Sequence, residues 1–215
     1  MGLRRIRSDG NCFYRSFIFG YFEYLLGARS EELERAIKIV DESKAALMEH
    51  GFDEMSIDVF WENFLEQLRS LPRKSIADLE REFSEFGDSN YLVWYARAIT
   101  AWFMKANADR FAPFVEGMSP GMTMDRFCAE EVLPMDRDCE QLQIIALTEA
   151  LQVRIRIEYL DGATSIGGSL THHDFPESDG AGGVAAPLFV LLYKPGHYEL
   201  LYPKSAAGQL SETNN

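Results

Sequence analysis

The chain has 215 residues, with 21 basic and 34 acidic side chains, a formal net charge of −13 and a hydrophobic content of 47%. These proportions are those of a folded domain and exclude wholesale disorder, and the length suits one large domain able to bury about 70% of its extended surface. The acidic balance excludes a general nucleic-acid binder, which needs a basic face, and disfavours anionic membranes.

Patterning narrows the field further. The stretch from Ala185 to Tyr193 is apolar for nine residues, and a membrane-spanning helix needs about 20. The opening MGLRRIRSDG has basic residues but no apolar segment behind them, so it does not read as a secretory signal. Cys12, Cys128 and Cys139 make an odd, sparse set without CxxC spacing. That argues against a disulfide scaffold or a cysteine-built zinc site and for a reducing, cytoplasmic setting, with the nucleus as an alternative.

In chain order, helices come first. Phe13, Phe17, Tyr21, Tyr24 and Leu25 recur at spacings of three and four and predict a helix from Asn11 to Leu26. A second runs from Glu31 to His50 through Leu33, Ala36, Ile37, Val40 and Leu47, with Ser30 as N-cap and Gly51 as the stop. Ile57, Phe60, Trp61, Phe64, Leu65 and Leu68 line one face of a third, which starts at Ser56 and ends before Pro72. Ser75 and Asp78 form a capping-box-like opening for a helix to Phe86. Tyr91 to Lys105 is apolar nearly all round and reads as a central buried helix; shorter ones follow at Thr123–Val132 and Gln141–Leu151.

The character then changes. Val153 to Tyr159 alternates with period two, as a half-solvated strand does. Asp161 to Pro187 reads as a loose polar connection, Leu188–Tyr193 as a central strand, and Tyr198–Tyr202 as its hairpin partner across a Pro195-Gly196 turn. Residues 204–215 read as a frayed tail behind one α+β domain over 1–203. Trp61, Trp94 and Trp102 lie on apolar helix faces and read as core.

Two segments carry candidate chemistry. Asp9-Gly10-Asn11 is a turn that delivers Cys12 to the first turn of a helix. Unsatisfied N–H groups and the helix dipole favour a thiolate there, and the same N–H groups can hold an oxyanion. The plainer alternative is a buried structural cysteine beside a helix cap.

Of the four histidines, His50 reads as a helix-end cation, and His172 and His173 as exposed loop residues. His197 stands between a Pro-Gly turn and a strand. Glu199, two residues on, shares its face and can fix its tautomer. The alternative is a hairpin histidine with an accidental acidic neighbour. Cys128 and Cys139 lack a turn-to-helix setting and read as inert.

Taken together, the two segments resemble motifs of the otubains, a branch of the OTU cysteine proteases that remove ubiquitin from proteins. Asp9 to Arg15 is similar to that family's nucleophile motif, and Pro195 to Tyr202 to its histidine motif. Asn90–Tyr95, Ile144–Leu147, Ile157–Tyr159 and His173–Glu177 fall where similar otubain segments do, so the likeness runs from about Ile6 to Tyr202.

The resemblance implies a papain-like OTU fold, a helical subdomain packed on a small, mainly antiparallel sheet formed by the C-terminal third. It implies Cys12 as nucleophile, His197 as base and then acid, and Glu199 as the orienting residue. Asp9, with Gly10 and Asn11, would shape the oxyanion site through backbone amides. No metal or cofactor is implied. The partners would be ubiquitin, polyubiquitin chains and ubiquitinated proteins, bound by a monomer, and the net charge suits ubiquitin's basic-rimmed apolar patch. Alternatives are a catalytically impaired ubiquitin-binding protein and a protease for a ubiquitin-like modifier.

Two departures stand out. Familiar otubains carry Asp or Asn where Glu199 stands. Only eleven residues precede Cys12, short of the N-terminal arm many otubains carry; either the arm is truncated here or the protein works without it, and in the second case relaxed linkage selectivity is expected.

Overall fold

The computed structural model describes residues 2–84, 88–164, 170–177 and 186–202. After a short strand β1 (Gly2–Arg4), the helices α1 (Cys12–Gly27), α2 (Ser30–Glu49), α3 (Glu54–Ser70), α4 (Ile76–Ser84) and α5 (Asp88–Ala106) follow in order. Then come α6 (Ala108–Met118), α7 (Met124–Phe127), a π-helical turn (Cys128–Val132) and α8 (Gln141–Ala150). Strands β2 (Ile155–Thr164), β3 (Leu170–Phe175), β4 (Phe189–Lys194) and β5 (His197–Tyr202) close the fold. This is an α+β architecture, as the helices-then-strands pattern predicts. Among the described residues no helix is long and apolar enough to cross a membrane.

The sheet runs β1-β5-β4-β2-β3. Three of its pairings are antiparallel, while β2 and β4 run parallel, as their separation by β3 requires. β4 is thus central, in agreement with its unbroken apolar sequence. Two strands differ from the sequence reading. β1 comes from the N-terminus, pairing Gly2 with Tyr202 and Arg4 with Leu200, so the sheet is not built from the C-terminal third alone. Three residues are too few to show alternation. β3 occupies part of the stretch read as a loose connection, pairing Ile155 with Phe175 and Tyr159 with Thr171. Its polar histidines hid an edge strand whose outer face meets solvent. The rest of that stretch, residues 165–169 and 178–185, and the tail from 203 on lie outside the described residues.

α1 is buried almost throughout its first three turns, from Cys12 to Phe22. It lies against the sheet so closely that a Cβ on Gly20 would come within 2.8 Å of both Leu200 Cδ2 and Phe189 Cδ2. Edge-to-face pairs Phe13–Tyr198 and Phe17–Phe189, with centroids 5.3 and 5.7 Å apart, key the helix to β5 and β4. α5, buried by Leu92, Val93, Tyr95, Ala96 and Ile99, packs against α1, α3 and α8.

Local chemistry sets several ends. Asp53, not Ser56, caps α3: its carboxylate accepts from Ser56 N–H at 2.9 Å, so the helix starts at Glu54. Ser75 and Asp78 exchange the predicted capping bonds at 2.9 and 3.3 Å; residues 85–87, where that helix was expected to end, lie outside the described residues. α6 is the helix the periodicity did not reveal. Pro113 interrupts its pattern, and only Phe111 and Val115 are buried. The tryptophans sit at the rim of the core, half-buried: Trp61 Nε1 donates to Val40 O at 2.8 Å, and Trp94 stacks on Phe60.

Candidate active site

The loop before α1 is held from two sides. Asp9 receives Arg15 as a fork, with Nη2–Oδ2 at 2.9 Å and Nε–Oδ2 at 3.1 Å. Arg15, itself 4% exposed, reaches on to Ser89 Oγ at 2.9 Å and Asn90 Oδ1 at 2.6 Å. Burial alone would raise the Asp9 carboxyl; the Arg15 guanidinium and the Asn11 N–H outweigh it and hold the group below the usual carboxylate range. Asp9 is therefore a charged brace for the turn.

On the other side, Asn11 turns its side chain away from the cysteine. Its Oδ1 accepts from Arg97 Nη2 at 2.7 Å and from Asp136 N–H at 3.1 Å, and its Nδ2 donates to Asp136 Oδ1 at 2.8 Å. Gly10 is required by contact: a Cβ there would lie 2.1 Å from the Asp136 carbonyl carbon. Asp136 itself sits at φ 64°, in the left-handed region that aspartate tolerates.

Arg97, fully buried, is the residue sequence reasoning missed. It donates to Gly10 O at 2.9 Å, Val132 O at 2.9 Å and Arg137 O at 2.7 Å as well as to Asn11, and it lies over the Tyr14 ring. A signal existed: an arginine inside a helix that is apolar all round must find buried acceptors.

The loop amides are mostly engaged. Asp9 N–H donates to Arg7 O, Asn11 N–H to the Asp9 carboxylate and Cys12 N–H to Asp9 O, each at 3.0 or 3.1 Å. Gly10 N–H has no acceptor among the described residues.

Cys12 is 4% exposed at the first position of α1. Its thiol does not follow the expectation of a stabilised thiolate. Burial pushes it up; the N–H groups of Tyr198 and Phe13 aimed at the sulfur pull down but do not win, and the charges of Asp138 and Asp9 add to the rise. The helix field is present, but desolvation exceeds it in the resting enzyme.

The first turns of α1 pack on the start of β5, with Phe13 edge-on to Tyr198 at 5.3 Å and Ser16 Oγ donating to Tyr198 O at 3.2 Å. His197 opens that strand, paired with Lys194 across the Pro195-Gly196 turn, in which Gly196 takes φ 76°. The imidazole Nε2 lies 3.7 Å from Glu199 Oε1, while Nδ1 is buried without a hydrogen-bond partner. No hydrogen bond links His197 to Cys12 in this structure. Glu199 is 5% exposed, and its other oxygen meets Lys194 Nζ at 2.5 Å.

The remaining candidates lie elsewhere. His50 Nδ1 bonds Ala46 O at 2.9 Å at the end of α2. His172 and His173 are exposed as expected, but on β3 and not in a loop. Cys128 and Cys139 are buried; burial pushes the first thiol to about 12 and the second well above its usual value.

A cysteine at a buried helix start, set against a strand that begins with a histidine backed by a carboxylate, is the layout of a thiol hydrolase. The family described as Peptidase C65 Otubain matches residues 1–203. Human "Ubiquitin thioesterase OTUB1" is 39% identical over 93% of this chain and 70% of its own length. The Arabidopsis thaliana "OVARIAN TUMOR DOMAIN-containing deubiquitinating enzyme 1" is 38% identical over 95% of this chain and 70% of its own. Among solved structures, ceOTUB1 in a ubiquitin aldehyde UBC13~Ub complex superposes with a TM-score of 0.86 at 35% identity, covering 94% of this chain and 79% of that one. The chain belongs to the otubain family of cysteine-type deubiquitinating hydrolases.

Proposed function

We propose that the protein hydrolyses isopeptide bonds at the C-terminus of ubiquitin, with Cys12 as nucleophile and His197 as its base. The observation that supports the assignment is the packing of the start of α1 on the start of β5, where Phe13 meets Tyr198 edge-on at 5.3 Å and Ser16 Oγ donates to Tyr198 O at 3.2 Å, beside Cys12 and His197 in the sequence. His197 Nδ1, buried with no partner, is free to take the thiol proton and return it to the leaving lysine amine. The thiolate adds to the isopeptide carbonyl, the C–N bond breaks as the amine takes the proton from His197, and the ubiquitin thioester left on Cys12 is hydrolysed by water with His197 again as base. Gly10 N–H, the loop amide without an acceptor, is the donor for the developing oxyanion; Asp9 and Asn11 serve by fixing the loop around it. Glu199 faces the imidazole on its Nε2 side, 3.7 Å away, as the orienting carboxylate.

Recognition of ubiquitin is supported by a groove beside the Asn11–Asp136 contact. Its lining includes Met118, Met122 and Phe127, the carboxylates Glu131, Asp136, Asp138 and Glu140, and one cation, Arg137. On the same face of α6, one turn from Met118, Phe114 is 60% exposed. An apolar ledge with an acidic rim complements a partner whose apolar patch has a basic rim.

The test is cleavage of the eight di-ubiquitin linkages, together with labelling by an electrophile on ubiquitin's C-terminus. Cleavage and labelling that both vanish in Cys12→Ala are expected. Labelling that survives Cys12→Ala, or binding without cleavage by protein with Cys12 reduced, would overturn the assignment. A parallel panel of ubiquitin-like modifiers would reveal a different modifier as substrate.

A further inference from the structure

Glu199 is a carboxylate with two suitors. It sits 5% exposed, with Oε2 2.5 Å from Lys194 Nζ and Oε1 3.7 Å from His197 Nε2. The first is a charge-assisted hydrogen bond; the second is too long for any hydrogen bond. The hairpin register explains the meeting. Lys194 pairs with His197 beside the turn, so the two side chains share a face, and Glu199, two residues along β5, lies on that face too. A glutamate has one more side-chain rotor than aspartate, so it needs a second contact to hold a single orientation. Lys194 is the only cation paired with it besides the histidine itself among the described residues.

We propose that Lys194 is a positioning residue for hydrolysis: its ammonium anchors Oε2, keeps Glu199 in one rotamer, and so aims Oε1 at the imidazole. As His197 takes the Cys12 proton, Nε2–H becomes half of an imidazolium and the aimed oxygen closes on it. Lys194 itself touches neither the sulfur nor the scissile carbonyl. The inference rests on the assignment of Glu199 as the orienting group.

Lys194 is 39% exposed at its side chain, so its replacement leaves the core intact. The experiment measures kcat and KM on a ubiquitin C-terminal fluorogenic substrate for Lys194→Met, Lys194→Arg, Glu199→Ala and the double variant Lys194→Met/Glu199→Ala. Lys194→Met should lower kcat about tenfold with KM unchanged, the scale of one lost charge-assisted contact. Lys194→Arg should recover most of that loss, because a guanidinium can still bind Oε2. In the Glu199→Ala background, Lys194→Met should have no further effect, since the lysine acts only through the carboxylate.

A full-rate Lys194→Met enzyme would overturn the proposal, as would an equal loss in the Glu199→Ala background or a loss confined to KM. The two readings fail differently. If Glu199→Ala is slow but Lys194→Met is not, only the role of Lys194 falls. If Glu199→Ala is itself at full rate, the orienting role of Glu199 falls, and that of Lys194 with it.

Discussion

Arg97→Lys tests how the nucleophile loop is held. Arg97 spends its guanidinium on four acceptors in different directions: Asn11 Oδ1 and the carbonyls of Gly10, Val132 and Arg137, at 2.7–3.1 Å. Among the described residues no carboxylate bonds it directly, and its charge is met by these oxygens and by the Tyr14 face 4.4 Å away. Lysine keeps the charge but gathers its donors at one point, and it cannot serve acceptors spread around a planar fork. Two of the four contacts should be lost. At about 1.5–3 kcal/mol for a hydrogen bond from a charged donor, less what relaxation and water recover, the expected cost is about 3 kcal/mol. For a chain of this size that lowers Tm by about 6–12 °C.

The enzyme should remain folded at 25 °C, yet kcat/KM should fall about 10–100-fold. The lost contacts hold Gly10 and Asn11; on the proposed assignment, outright removal of an oxyanion donor costs about 10²–10³-fold, and displacing one costs less. The assay is a thermal melt beside steady-state kinetics on the same preparation. A variant that melts within about 1 °C of the parent and turns over at the parental rate would show that the loop does not depend on the fork.

Two further outcomes follow from the same loop. Gly10→Ala drives a Cβ to 2.1 Å from backbone carbon of Asp136, which no side-chain rotation relieves. Stability should drop by about 1–3 kcal/mol with activity falling further, and a urea midpoint equal to the parent's would refute the contact. Because burial raises the Cys12 thiol, the thiol form dominates at neutral pH. Alkylation of Cys12 by iodoacetamide in the free enzyme should therefore keep rising with pH beyond about 8.5, the ordinary thiol value; a plateau from about pH 6 upward would mean a standing thiolate.

The sequence carried the α+β order because the apolar period switches from three-and-four spacing to two after Ala150, and helices and strands bury their faces with those periods. It also placed Cys12 and His197 on a helix start and a strand start, since turn residues precede both. What it hid was long-range. β1 is recognisable only by pairing with β5, and α6 carries a proline that masks its period. The Arg97–Asn11–Asp136 network joins residues from three segments, and no local pattern announces it. The direction of the Cys12 thiol was misread for a related reason: the helix dipole is local and visible in sequence, whereas burial is decided by what β5 brings.

The placement of β5 has a consequence for the life of the polypeptide. Ser16 and Tyr198, which touch where α1 meets β5, are separated by 182 residues. A ribosome making about 5–20 residues per second therefore exposes Cys12 for many seconds before His197 exists. Through that interval Cys12 has neither base nor strand against it, and a chain halted short of β5 is an inert thiol. On the proposed assignment, a copy halted before β5 has no proteolytic power, because that strand is the one that brings the histidine to α1.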